Sequence, residues 1–497
     1  MACTTLLVGK NATYDGSCMI ARNEDCGGGQ INEKSFDVVT PDKQPRHYKA
    51  DTSHVEIELS EEPMRYTHTP DAVNHWGIFS EAGVNEAQVA MTATETTTSN
   101  ERVLGADPYV ELIEAKGEPG TDDYVPEIPG GIGEEDFVTL VLPYIKTPRE
   151  GVLRLGSLLE KYGTYESNGL AFANTDEIWW METIGGHHWM ARRVPDDSYV
   201  VMPNQFGLDN FDFEDAFGEQ KECLCSADLY DFIVENHLNL NMADEPINPR
   251  DCFGSHTDGD HVYNTPRAWA MLRYFNPHLT DWDSPESIFT PESDDMPWSC
   301  VPEKKICVED IKYIMGLHYQ GTPYDPYGKH EAAGKYRSIG INRNCEMSLM
   351  QMRGYAPEQS CAIQWLSLGC NMYNCMVPLY TNINSAPQYV ANTTARVTTE
   401  SMYWTNRIIA ALADPYFGST ANIVEAYQLK MGAYGQKRIH EIDQLVQGLE
   451  GEKLTQTLEA ENEKTCEYVK EKTDELLGKI LFIAYDSMKN CYNRNDN

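Results

Sequence analysis

Four β-rich runs follow one another closely, at Gly169–Ala173, Ile178–Thr183, His188–Arg193 and Tyr199–Met202. They are separated by Asn174-Thr175-Asp176-Glu177, Gly185-Gly186 and Pro195-Asp196-Asp197, three different hairpin signals in succession. Strands joined this way run antiparallel, which excludes a doubly wound parallel sheet for this block. A second block, Met347–Met352, Cys361–Leu368 and Met376–Tyr380, repeats the pattern. The chain opens on a further pair, Thr4–Val8 and Ser17–Ala21, turning through Asn11–Gly16 and closed by Gly27-Gly28-Gly29. Trp76–Phe79 and the run from Val84 to Thr94 read as another hairpin, with its turn at Ser80–Gly83.

Helical periodicity begins near residue 134. Thr147-Pro148-Arg149-Glu150 is a capping box with proline at the first helical position, followed by an apolar face of Val152, Leu155, Leu158 and Leu159. Residues 208–280 read as mainly helical, and 101–135 and 281–330 as surface excursions. From about Thr398 the chain is helical, with Ile439, Ile442, Leu445, Val446 and Leu449 on one face and Leu454, Leu458, Cys466 and Val469 further on. The expected architecture is α+β with mostly antiparallel sheets in residues 3–397. The helical segment 398–497 is expected to pack on the same domain rather than present a partner-binding face.

Charge narrows the function. The 497 residues carry 39 Lys+Arg against 77 Asp+Glu, a net charge of −38. Such a surface repels phosphates, so nucleic acids and anionic membranes are excluded as partners. No stretch approaches the roughly 18 apolar residues of a membrane span, and mean hydropathy is −0.50. The N-terminus lacks the basic and apolar regions of a signal peptide. Its 14 cysteines are scattered, without the spacing of a disulfide scaffold or zinc ribbon. A cytoplasmic protein with reduced cysteines is expected.

No GxSxG, HExxH, GxGxxG or GxxxxGK[ST] motif occurs, and His187-His188 cannot present two imidazoles on one face of a helix or strand. The unusual feature is the front of the chain. Cys3 lies two residues from the N-terminus, and Arg22-Asn23-Glu24-Asp25 ends the returning strand. With residues 1 and 2 removed, Cys3 carries a thiol of unperturbed pKa about 8.5 and an amine of about 7.7–8, a nucleophile and a base on one residue. Pairing of the first two strands would bring Arg22 and Asp25 beside it, the guanidinium favouring thiolate and the carboxylate holding the amine. On composition and spacing alone, a small buried cysteine beside an ordinary salt bridge is the better fit.

Cys3-Thr4-Thr5-Leu6-Leu7-Val8-Gly9-Lys10 with Ala21-Arg22-Asn23-Glu24-Asp25 resembles the start of the dipeptidase A type cysteine dipeptidases, peptidase family C69, within the N-terminal nucleophile (Ntn) hydrolases. Glu81-Ala82-Gly83-Val84-Asn85-Glu86, Ala93-Thr94-Glu95-Thr96, Glu166-Ser167-Asn168-Gly169, His187-His188-Trp189, Tyr263-Asn264-Thr265-Pro266-Arg267 and Gln364-Trp365-Leu366-Ser367 extend the likeness over most of the chain. A wider similarity reaches penicillin V acylases and bile-salt hydrolases through Cys-Thr followed by Arg-Asn-x-Asp.

The resemblance implies a four-layer αββα sandwich, a homo-oligomer, and hydrolysis of short peptides without metal or cofactor. It implies Cys3 as nucleophile, Arg22 beside it, Asp25 orienting the amine, Asn204 as oxyanion donor and Arg267 as a further active-site arginine, with Arg273 its rival. A backbone N–H or Thr92 is left to complete the oxyanion site, and Arg22 or Arg267 to grip the substrate carboxylate, which makes a locally basic pocket the expectation. Methionine aminopeptidase would stop at Ala2, so a further cleavage must free the Cys3 amine. Two other readings stay open: an amidase of the same fold acting on N-acyl substrates, and a non-catalytic, secernin-like relative or acidic binding module.

Overall fold

The computed structural model describes residues 3–93, 95–242 and 245–490. The strands sort into two large antiparallel sheets, so the chain is α+β. The first sheet has the order Ser299–Cys300, Tyr199–Met202, Thr4–Val8, Cys18–Asp25, Asn344–Met352, Ala362–Leu368, Val377–Tyr380. The second runs Cys223–Cys225, His188–Arg193, Ile178–Ile184, Ser167–Ala173, Ala90–Thr92, Ala82–Val84, with Glu95–Thr97 also paired to Ser167–Ala173. The first two hairpins read between Gly169 and Met202 are present, but Pro195-Asp196-Asp197 is not a hairpin turn: it carries the chain from one sheet to the other, where Tyr199–Met202 pairs with Thr4–Val8.

Alternation along the first strands decides which side chains meet. Leu7, Cys18 and Ile20 share a buried cluster with Ala171, Trp180 and Met190 of the second sheet. Leu6, Val8, Met19 and Ala21 instead join a cluster with Trp269, Ile311, Ile409, Ile442 and Leu458, which lie on helices. The other side of the second sheet, through Leu170, Phe172 and Trp179, packs against Phe137 and Val138 of helix Glu134–Val141 and Leu155 and Leu159 of helix Pro148–Tyr162. That second helix starts as its sequence signals: the Thr147 hydroxyl accepts the Glu150 N–H at 3.1 Å. Glu150 reaches back to the N–H of Lys146 rather than Thr147. Gly163 ends it at φ +69°, a conformation that costs glycine little.

Other expectations are corrected. Ser80–Gly83 is not a turn: Ala82–Val84 is already a strand, and the chain reverses at Asn85–Val89 before Ala90–Thr92. The 281–330 excursion contains helix Val308–Met315, whose Val308, Ile311, Ile314 and Met315 are buried at helical spacing. Between 208 and 280 the helices are short, only Thr265–Phe275 reaching 11 residues. The tail forms helices Met402–Ala413, Phe417–Leu445 and Gly451–Asp486, which contact one another; the first also contacts the strand Ala362–Leu368 and the other two the strand Val377–Tyr380. Ile439, Ile442 and Val446 face the core, whereas Leu445 is exposed. No helix among the described residues is long and apolar enough to cross a membrane.

Candidate active site

The register of the first sheet explains what surrounds Cys3. Thr5 lies opposite both Arg22 and Met202. Two residues back along the first strand, Cys3 therefore falls beside the segment Pro203-Asn204. By alternation Cys3 and Thr5 point with Leu7 between the sheets, as do Arg22 and Glu24 with Ile20. Arg22 Nη2 donates to Cys3 Sγ at 2.8 Å and to Glu134 Oε1 at 2.9 Å, while Nη1 pairs with Glu81. Cys3, Arg22 and Glu81 are all fully buried. Burial pushes the Cys3 thiol up to about 12, and the adjacent Arg22 pulls against it. Glu81 also faces Lys34, whose ammonium pairs with Glu24 at 2.9 Å and Asp71 at 2.8 Å.

Asn204 and Arg267 form the other wall. The Cys3 N–H donates to Asn204 Oδ1 at 3.0 Å, and Arg267 Nη2 donates to the same oxygen at 2.8 Å. Both partners are pure donors, so this amide's oxygen faces them and its Nδ2 points the other way. Arg267 further donates to Asn264 Oδ1 at 2.8 Å, Thr4 Oγ1 at 2.7 Å, Tyr263 O at 2.6 Å and the Cys3 carbonyl. These bonds use all five guanidinium N–H groups. Arg267 is thus a buried clamp on Cys3, Thr4 and Asn204, with no donor left for a substrate carboxylate. Arg273 lies toward the surface, bound to Asp283 at 2.7 and 2.9 Å, so Arg267 is the arginine brought to Cys3.

Asp25 follows Glu24 at the end of the second strand. It pairs with Arg337 and accepts from Asn344 Nδ2. Arg337 is buried, which lowers it to about 9, while the nearby Cys3 favours its charged form. Thr92 Oγ1 accepts the Ala171 N–H at 2.9 Å within the second sheet.

Sequence reasoning did not single out Lys34, Glu81, Glu95, Glu134, Asn264 or Arg337. Glu81, Glu95 and Asn264 lie in stretches that carry the family likeness, and Glu134 opens the first long helical pattern. Nothing local marks Arg337. Glu95 accepts from Thr5 Oγ1 at 2.8 Å, and burial raises it to about 8 against the pull of Arg267 and Arg22. Both arginines expected at the thiol are present, but carboxylates accompany them, so the surroundings are not simply basic. His187 and His188 both bond to Asp107, at 2.8 and 2.7 Å. Among the described residues no group of three or more His, Cys, Asp or Glu is placed to hold a metal ion.

Residues 2–430 match the model of peptidase family C69. A dipeptidase of Bifidobacterium longum is 50% identical, with all of both chains covered. A probable dipeptidase A of Streptococcus pyogenes serotype M3 is 48% identical, again over both whole chains, and dipeptidase A of Lactobacillus helveticus is 43% identical over 96% of each. A likeness that spans Cys3, the strand carrying Arg22, the segment carrying Asn204 and the helix carrying Arg267 is one of whole proteins. The chain belongs to peptidase family C69.

Proposed function

We propose that the protein is a cysteine-dependent dipeptidase whose nucleophile is Cys3, freed as the N-terminal residue by removal of residues 1 and 2. The observation that carries this reading is the convergence of Arg22, Asn204 and Arg267 on one buried cysteine. The names of the relatives support dipeptides as substrates. Neither the N-acyl amidase nor the non-catalytic reading has a specific observation in its favour.

In the proposed reaction the free Cys3 amine takes the thiol proton. The thiolate, favoured by Arg22, attacks the scissile carbonyl. Asn204 Nδ2 and a backbone N–H stabilise the tetrahedral oxyanion. The protonated amine then returns its proton to the leaving amine, giving a thioester and a free amino acid. Water, deprotonated by the same amine, adds to the thioester, and collapse releases the second amino acid and regenerates the thiol. Asp25, fixed by Asn344 and Arg337, is assigned the role of orienting the amine. Arg267 holds Asn204 and the Cys3 backbone in register rather than touching substrate, and the chemistry calls on no metal.

The fold we assign is the four-layer αββα Ntn sandwich. The three core clusters support it: one between the sheets and one between each sheet and its helices. We take residues 3–397 with the helices of 398–497 as one packed domain. A cytoplasmic homo-oligomer acting on short peptides is the cellular form we propose.

Intact-mass measurement of the active enzyme tests the central step. A mass lacking residues 1 and 2 is expected, and activity in protein that still begins at Ala2 would sink the free-amine mechanism. Cys3→Ala is expected to abolish dipeptide hydrolysis and labelling by a mild thiol alkylator at this position. Full retained activity in that variant would refute the nucleophile.

A further inference from the structure

A dipeptide differs from an N-acyl amide in carrying an ammonium beside its scissile bond. Standard bond lengths put that nitrogen only about 2.5 Å from the carbonyl carbon that the nucleophile attacks. Any group that recognises it must therefore lie close to Cys3 Sγ.

Two carboxylates meet this condition. Glu134 Oε1 and Cys3 Sγ accept from the same nitrogen, Arg22 Nη2. Glu95 reaches across from the second sheet. Its Oε1 accepts the hydroxyl of Thr5, which shares the Cys3 side of the first strand. Its other oxygen, Oε2, has no hydrogen-bond partner among the described residues, although Glu95 is 0% exposed. An orphaned carboxylate oxygen in a dry interior is costly, and a donor supplied by a ligand removes that cost. Nor does Arg267 relieve it, since its five N–H groups are committed elsewhere.

We propose that Glu95 Oε2, with Glu134 beside it, receives the free α-ammonium of the substrate, so that this site selects peptides with an unblocked N-terminus. The assignment rests on the dipeptidase reading above and adds the residues that tell a dipeptide from an N-acylated amide. The sheet pairing that holds Glu95 opposite Gly169 sets its distance from Cys3.

The test compares mature wild-type enzyme with Glu95→Gln. Steady-state hydrolysis of alanyl-alanine is measured alongside inhibition by propionyl-alanine, the same molecule without its ammonium. The incoming ammonium draws the buried Glu95 carboxyl into its ionised form, and loss of that charge-assisted bond predicts a fall of about 10–100-fold in kcat/KM for alanyl-alanine, carried mainly by KM. The inhibition constant of propionyl-alanine is expected to stay within about twofold, because that ligand never made the contact. Glu95→Asp, which keeps the charge on a shorter arm, is expected to fall between the two and guards against a folding defect in the Gln variant. An unchanged KM in Glu95→Gln overturns the proposal. So does an equal loss for both ligands, the mark of a merely structural role. A wild-type enzyme with a free Cys3 amine and no dipeptide hydrolysis would instead refute the dipeptidase reading itself.

Discussion

Arg267→Lys separates a clamp from a substrate-binding arginine. The guanidinium makes five bonds, to the Cys3 carbonyl, Thr4 Oγ1, Asn204 Oδ1, Asn264 Oδ1 and Tyr263 O. A lysine ammonium has three donors radiating from one atom, and from this backbone position it can span at most two of those acceptors. Some three buried acceptors then lose their donor. At about 1 kcal/mol each the fold loses about 3 kcal/mol, read by urea unfolding. The larger effect is on turnover. Asn204 keeps only one of its two anchoring donors, and a mispositioned oxyanion donor costs on the order of 100-fold in kcat. KM for a dipeptide is expected to move by less than about threefold, since Arg267 has no N–H to offer substrate. A tenfold or larger rise in KM at unchanged kcat would refute this reasoning and return Arg267 to the substrate carboxylate.

Two further predictions concern stability away from the site. Glu182 is fully buried, and burial raises it from 4.5 to about 7 despite bonds from Trp180, Gly207 and Leu208. Between those values the unfolded chain has released the proton and the folded chain has kept it, so this group makes stability fall as pH rises, by up to about 1.4 kcal/mol per pH unit. Glu182→Gln removes that term: its unfolding free energy is expected to match wild type near pH 4, exceed it increasingly up to about pH 7, and keep a constant lead above. Parallel pH curves for the two proteins would contradict it. Asp443 on helix Phe417–Leu445 pairs at 2.6 and 3.1 Å with Arg353, which is buried at the end of the first sheet and also holds Ser360 O at 2.7 Å. Asp443→Ala leaves that guanidinium without its counter-charge and is expected to cost about 2 kcal/mol, discounted because Asp443 is partly exposed, with kcat/KM within twofold. An unchanged urea midpoint would show that the tail helix is held by its apolar face alone.

What the sequence determined by itself was local. Hairpins are written in adjacent turn residues and helix starts in caps and periodicity; each depends on neighbours a few residues apart. Even there, Ser80–Gly83 shows the limit, because its small residues turn chains in isolation but here feed a strand that pairs with Ala90–Thr92. Helix Val308–Met315 was legible in its apolar spacing and was hidden by the Pro-, Asp- and Tyr-rich residues around it. Cys3 and Arg22 stood out by their position and spacing, and the family likeness gave them roles and added Asn204. The strand register then supplies the physical reason they meet: Thr5 stands opposite both Arg22 and Met202.

Only the tertiary structure decided the electrical character of the site. The arginines implied by the family likeness suggested a basic pocket in an acidic shell, yet Glu81, Glu95 and Glu134 arrive from other segments to stand among them. It also decided that Arg267 rather than Arg273 reaches Cys3, and that it does so with every donor spent. Side-chain direction on a strand follows from alternation, which a sequence displays. Which strand lies opposite, and which carboxylate that brings within 3 Å, depends on pairings between residues such as Thr5 and Glu95, 90 positions apart, and no local pattern encodes them.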